Sequence, residues 1–216
     1  MKYKHLIFDF DGVLVESNEI RFDGFKLLFS GYPMHQVNKL MQFAMANGGL
    51  SRYTKIRYFF EEIRNEPISE EKIKTMSHEY SNLVKQRIIE SKPVEGSIEF
   101  LSQYHNVLDF AIISGSDQEE LVEICRVRGI HHYFTEILGA PLSKEENFDK
   151  LFLKTKWKKY DTLFVCDTTN DLYAAMSCGV VFIGINSGLV NWGLFSEIHA
   201  LNNLSQMAAV IKKYPE

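Results

Sequence analysis

Five short apolar runs constrain the architecture of this chain more than any other feature. They are KHLIFDF (4–10), NVLDFAIIS (106–114), FTEILG (134–139), DTLFVCD (161–167) and VVFIGI (180–185). Runs of that length without polar alternation suit strands buried on both faces, and segments of helical period separate the last four. Strands alternating with helices imply βαβ units, so the expected fold class is α/β, a parallel sheet core flanked by helices.

Residues 16–90 interrupt the alternation. FDGFKLLF (22–29), VNKLMQFAMA (37–46), YTKIRYFFEEI (53–63) and a long final segment all have helical spacing, with no strand between them. In the last, Ser69 is placed to cap, Glu70 and Glu71 suit the positive end of the dipole, and Ile68 can staple onto Ile73. The segment is therefore expected to be an inserted α-helical domain, within a core built from residues 1–15 and 91–216.

The balance of charge narrows the partners. A formal net charge of −4 with 24% charged residues gives no electrostatic case for nucleic acid or a membrane surface, which leaves small molecules. No apolar stretch reaches the roughly 18 residues of a membrane span, and the N-terminus lacks the apolar core of a signal peptide. A cytoplasmic protein, monomer or homodimer, is expected. Cys125, Cys166 and Cys178 lack metal spacing and read as reduced, buried thiols.

Chemistry concentrates at the ends of the runs. Asp9 and Asp11 end the first, and acids at the C-terminal edge of an open parallel sheet lie where such folds bind ligands. The fourth ends at Asp167 and opens a helix with Asp171 one turn on. Carboxylates gathered in this way repel one another and call for a hard divalent cation, Mg²⁺ with several waters. The second run ends at Ser114, and Ser116 with Glu119 fits a capping box. A hydroxyl, the exposed backbone of Gly115 and a helix N-terminus would suit a phosphate. After the third run, Lys144 stands near a helix start, where the dipole does not favour a cation but phosphate and carboxylates would. Within the insert, NGGLSRYTKIRYF (47–59) has a glycine pair followed by Arg52, Lys55 and Arg57.

The order Asp9-Phe10-Asp11-Gly12-Val13-Leu14, Ser114, Lys144, Asp167-Thr168-Thr169-Asn170-Asp171 resembles the four motifs of the haloacid dehalogenase superfamily, phosphatase branch, over nearly the whole chain. Glu145 follows Lys144 where the family often has Pro, Cys166 precedes Asp167 where Gly is usual, and Lys150 is the other lysine of the third segment. The resemblance implies a Rossmann-like core with a small α-helical cap at 16–90. It implies a Mg²⁺-dependent phosphatase acting on a small phosphorylated metabolite (a sugar phosphate, phosphoglycolate or similar) through an aspartyl-phosphate, with a sugar phosphomutase of the β-phosphoglucomutase type as the alternative. Asp9 would be the nucleophile and Asp11 the acid and base. Ser114, Gly115 and Lys144 would hold the phosphoryl group, and Asp9, Asp11 (through its backbone carbonyl), Asp167 and Asp171 the metal. The cap would set specificity through Arg52 and Lys55. A receiver-type domain shares such an acid and lysine set, but a helical insert of about 70 residues would not split it.

Overall fold

A computed structural model describes residues 2–213; Met1 and residues 214–216, at the ends of the expected core, lie outside the described residues. Six strands are present among the described residues: β1 (His5–Phe8), β2 (Asp109–Asp117), β3 (Glu136–Ala140), β4 (Thr162–Cys166), β5 (Val181–Ile185) and β6 (Ala200–Leu201). They form one sheet in the order β3-β2-β1-β4-β5-β6, with every neighbouring pair parallel. The α/β class and parallel sheet expected from the sequence are those observed. Leu6, Ile7 and Phe8, Phe110 to Ile113, and Leu163 to Cys166 are all fully buried. Burial on both faces is why these runs are continuously apolar rather than alternating.

Two details depart from expectation. β2 begins at Asp109 rather than Asn106, because Val107 and Leu108 donate backbone hydrogen bonds to Tyr104 and close the preceding helix; it then runs three residues past Ser114. β6 is a two-residue edge strand, too short to leave a periodic signal.

Among the described residues, nine α-helices surround or overhang the sheet. Four of them, α1 (Asn18–Leu28), α2 (Met34–Ala46), α3 (Arg52–Tyr58) and α4 (Glu70–Glu90), follow β1 with no strand between them. Phe25, Phe29, Phe59 and Tyr80 give them a common aromatic core. Ser69 caps α4 as its sequence suggests, its Oγ accepting from Lys72 N. The single helix expected over 53–63 instead changes to a π-helical turn at Phe59–Ile63. The remaining helices are α5 (Ser97–Tyr104), α6 (Gln118–Val127), α7 (Lys144–Thr155), α8 (Thr169–Cys178) and α9 (Met207–Lys213). No helix of the described residues is long and apolar enough to cross a membrane. The three thiols are free; Cys125 and Cys166 are buried, while Cys178 is only half-buried.

The fold positions a site because the strand order reverses beside β1. β1 has β2 on one side and β4 on the other, so a crevice opens at the C-terminal ends of all three, the place where open α/β sheets bind ligands.

Candidate active site

Asp9 is the first residue after β1, and its backbone N–H donates to Val165 O of β4 (2.9 Å), which holds it at the crevice. Its carboxylate is anchored at both oxygens. Oδ1 accepts from Phe10 N (2.7 Å), and Oδ2 accepts from Lys144 Nζ (2.9 Å). Lys144 opens α7, whose start is satisfied by a reciprocal capping box between Ser143 and Glu146. The lysine can therefore lean back over the sheet edge, where it also pairs with Asp171 Oδ1. Lys144 is 8% exposed, whereas Lys150 is exposed on the same helix. Burial alone would lower the ammonium's pKa, but Asp171 and Asp9 reverse that and hold it well above its ordinary value.

Asp167, just past β4, and Asp171, in the first turn of α8, complete the acidic cluster. One oxygen from each of Asp9, Asp167 and Asp171 lies within 4.8 Å of the others. Asp167 Oδ2 accepts from Asn18 Nδ2 (2.8 Å). Asp171 Oδ2 is buried with no hydrogen-bond partner among the described residues. Gly12 has φ +74°, and a Cβ there would stand 2.2 Å from Asp167 Oδ2, so the turn after the first acids leaves this carboxylate free of side-chain crowding. Burial raises the Asp9 carboxyl far above the usual carboxylate range, with Asp171, Asp167 and Asp11 adding to the rise and Lys144 opposing it. Burial likewise raises Asp167, to about 6, against hydrogen bonds from Ser187 and Asn18. Hard oxygen donors, an orphaned buried carboxylate oxygen and mutual repulsion fit a hard divalent cation.

These shifts set a pH dependence. A carboxyl whose pKa is raised by folding stabilises the fold below its unfolded value near 4, and that contribution is lost as pH rises towards the folded value. In a chelator, the melting temperature is expected to fall between roughly pH 5 and 8, and millimolar Mg²⁺ to flatten the decline. Scanning calorimetry at several pH values checks this; a rising metal-free curve over that interval would contradict it.

Asp11 differs from its neighbours. Its side chain is outside the three-carboxylate cluster and is ringed by donors: Ser17 Oγ (2.5 Å) and Arg21 Nε (3.0 Å) to Oδ1, and Ser116 Oγ (2.7 Å) to Oδ2. Burial pushes its pKa up, but Arg21 and these hydrogen bonds outweigh burial and hold it below the usual range. Here the expected capping box is corrected. Asp117 caps α6, accepting from Glu119 N and Glu120 N, while Ser116 turns to Asp11. Ser114, 1% exposed, accepts from Ser116 N (3.2 Å) at the same edge.

The α1–α4 segment roofs the site. The loop after α2 brings Gly49 onto Gly115 so closely that a Cβ on Gly115 would lie 2.7 Å from Gly49 O. The cavity between roof and sheet offers about 50 Å³ to the centres of water-sized molecules, room for a few waters, and its lining includes Asp9, Asp11, Ser114, Asp167, Arg52 and Lys55. Lys55 Nζ donates to Gly48 O (3.0 Å); burial lowers its pKa to about 7 against a smaller opposing pull from Asp11. Arg52 is 4% exposed, with its terminal nitrogens engaged by Glu120 Oε1 and Oε2 (2.6 and 2.9 Å) and by Ser81 Oγ (2.5 Å). Arg21 and Glu120 carried no motif signal in the sequence. An arginine in one helix and a glutamate in the first turn of another are ordinary solvated residues until the fold buries them together.

A family model for haloacid dehalogenase-like hydrolases matches residues 6–185. A phosphoglycolate phosphatase of Pasteurella multocida (strain Pm70) is 24% identical over 198 residues, spanning 87% of each chain. Among solved structures, a predicted phosphoglycolate phosphatase from Haemophilus somnus 129PT superposes with a TM-score of 0.75 at 18% identity, covering 98% of this chain and 99% of that one. A candidate β-phosphoglucomutase from Bacteroides vulgatus superposes with a TM-score of 0.80 at 15% identity, covering 99% and 91%. With the match across most of its length, the chain belongs to the haloacid dehalogenase-like hydrolase family.

Proposed function

We propose that the enzyme is a Mg²⁺-dependent phosphatase that hydrolyses a small phosphorylated metabolite through an aspartyl-phosphate on Asp9. The observation that carries the reading is the convergence of Asp9, Lys144, Asp167, Asp171 and Ser114 at one sheet edge, beneath a helical roof.

Asp9 is the nucleophile. Phe10 N–H and Lys144 hold its carboxylate, and one of its oxygens forms the new bond to phosphorus as the bond from phosphorus to the leaving oxygen breaks. Asp11, whose pKa the approaching phosphate dianion raises so that it takes up a proton, gives that proton to the leaving oxygen, then takes one from the water that hydrolyses the acyl phosphate and releases inorganic phosphate. Ser114, the backbone at Gly115 and Lys144 receive the phosphoryl oxygens, and Lys144 also offsets the charge of Asp9 and Asp171. Asp9, Asp167, Asp171 and the Asp11 backbone carbonyl would hold Mg²⁺, which supplies charge stabilisation to the transferring group. Residues 16–90 act as a cap that excludes water over a core of 1–15 and 91–216. In the cap, Lys55 has no carboxylate partner among the described residues and is the cation free for a polar or anionic end of the substrate, beside Arg52.

The test is phosphate release from a panel of phosphorylated metabolites with Mg²⁺ and with chelator. Metal-dependent release from a compact phosphomonoester is expected. Conversion of a sugar phosphate to its isomer without net release would mean a mutase, and no reaction across the panel would refute the reading.

A further inference from the structure

Glu120 lies in the first turn of α6, outside the motif segments, and does not line the cavity. It is nevertheless 4% exposed and holds two arginines of the helical roof at once. Its Oε1 accepts from Arg21 Nη1 of α1 and from Arg52 Nη2 of α3, both at 2.6 Å, and its Oε2 accepts from Arg52 Nη1 at 2.9 Å. Arg52 lies over the Tyr80 ring of α4 (4.6 Å to its centroid), and Tyr80 OH donates to Arg21 O (2.8 Å). Two roof helices thus meet one carboxylate of the core, and a third packs on their arginines through Tyr80.

The consequence for the reaction runs through Arg21. A guanidinium is a rigid planar fork, so holding two of its nitrogens aims the third. Glu120 accepts from Nη1, Ser116 Oγ accepts from Nη2 (2.8 Å), and Nε–H then points at Asp11 Oδ1 (3.0 Å). Ser116 also donates to Asp11 Oδ2, closing a ring around that carboxylate. Without the charge of Glu120, the buried Arg52 guanidinium would have no carboxylate partner among the described residues and Arg21 would lose the one that holds its Nη1, so the arrangement that aims Arg21 would not persist.

We propose that Glu120 is a positioning residue that fixes the Asp11 carboxylate through Arg21, and that Arg52 serves the same carboxylate, tying the closed roof to the core. The inference rests on the acid and base role of Asp11 and adds two residues to it that never touch the reacting atoms, Glu120 and, through it, Arg52.

A residue that merely fastens the roof would affect all substrates alike, whereas one that positions the acid matters only where the leaving oxygen needs a proton. The measurement is therefore kcat/KM, which reports the first chemical step, for ethyl phosphate against 2,4-dinitrophenyl phosphate with Mg²⁺. Glu120→Gln is expected to lose about 100-fold on ethyl phosphate and less than about 10-fold on the dinitrophenyl ester, whose leaving group departs unprotonated. Glu120→Asp, which keeps the charge but is one methylene shorter, is expected to show a smaller loss of the same selective kind, and it carries the test should Glu120→Gln fail to fold. Equal losses on both esters, or none, would overturn the proposal. A crystal structure of either folded variant decides the geometry without turnover: Arg21 Nε displaced from Asp11 is expected, and Arg21 still donating to Asp11 overturns it. Should the wild type hydrolyse neither ester, the metabolite panel decides the phosphatase reading, while the crystallographic arm still tests the positioning.

Discussion

Asp9→Asn should reduce turnover of an aryl phosphate in the presence of Mg²⁺ by about 10⁴-fold or more, because the carboxylate proposed to form the bond to phosphorus is gone. The fold should survive. Asparagine preserves shape and keeps an acceptor for Phe10 N–H, and Lys144 retains Asp171. The substitution also removes one charge from a cluster in which Asp9, Asp167 and Asp171 crowd within 4.8 Å. Near neutral pH in chelator, the variant should therefore melt at or above the wild-type temperature, and the rise expected with Mg²⁺ should shrink, since one proposed ligand is gone. Phosphate release and calorimetry on the same preparation separate the two effects. Activity within tenfold of wild type would remove Asp9 from the nucleophile's role.

Lys144→Met carries the second large effect, this time on stability as well. Lys144 is the cation that pairs with both Asp9 and Asp171 in a buried setting, and truncating one partner of such a group costs about 3–5 kcal/mol because the remaining charge is left uncompensated. For a chain of this size each kcal/mol is roughly 2–4 °C, so the metal-free melting temperature should drop by roughly 10 °C. Mg²⁺ should recover much of that loss, because a cation among the carboxylates substitutes for the ammonium. It should not recover activity, expected to fall about 10²- to 10³-fold with the loss of a donor to the transferring group. Lys150→Met, at an exposed position of the same helix, should change stability by less than about 0.5 kcal/mol. Equal behaviour of the two lysine variants would contradict the assignment of Lys144.

Particular residues show where local information was enough. Leu6 to Phe8 and Leu163 to Cys166 are apolar at every position because both sheet faces are covered, and that demand leaves its mark in consecutive residues. Ser69 before Glu70 and Glu71 announces a helix start for a reason confined to one turn of backbone. Ser116 is a different case. Ser116 and Asp117 are adjacent residues both suited to capping, and the first-turn spacing to Glu119 favoured the serine. The choice went to Asp117 because Ser116 has a better partner 105 positions away, in Asp11. Arg52 was legible as a basic residue beside a glycine pair, but its engagement with Glu120, 68 positions on, was not.

The order of strands and helices, the separate helical stretch after β1, and the set of residue types able to bind phosphate and a cation are all properties of short windows, because periodicity, capping and acid spacing act over a few residues. The pairing of charges is not. Which carboxylate meets Lys144, which serine turns to Asp11, and how Glu120 gathers Arg21 and Arg52 depend on distances between segments far apart in the chain. Those distances exist only once the β1–β4 edge and the helical roof have packed, since a charge buried in packing must find a partner wherever the fold places one.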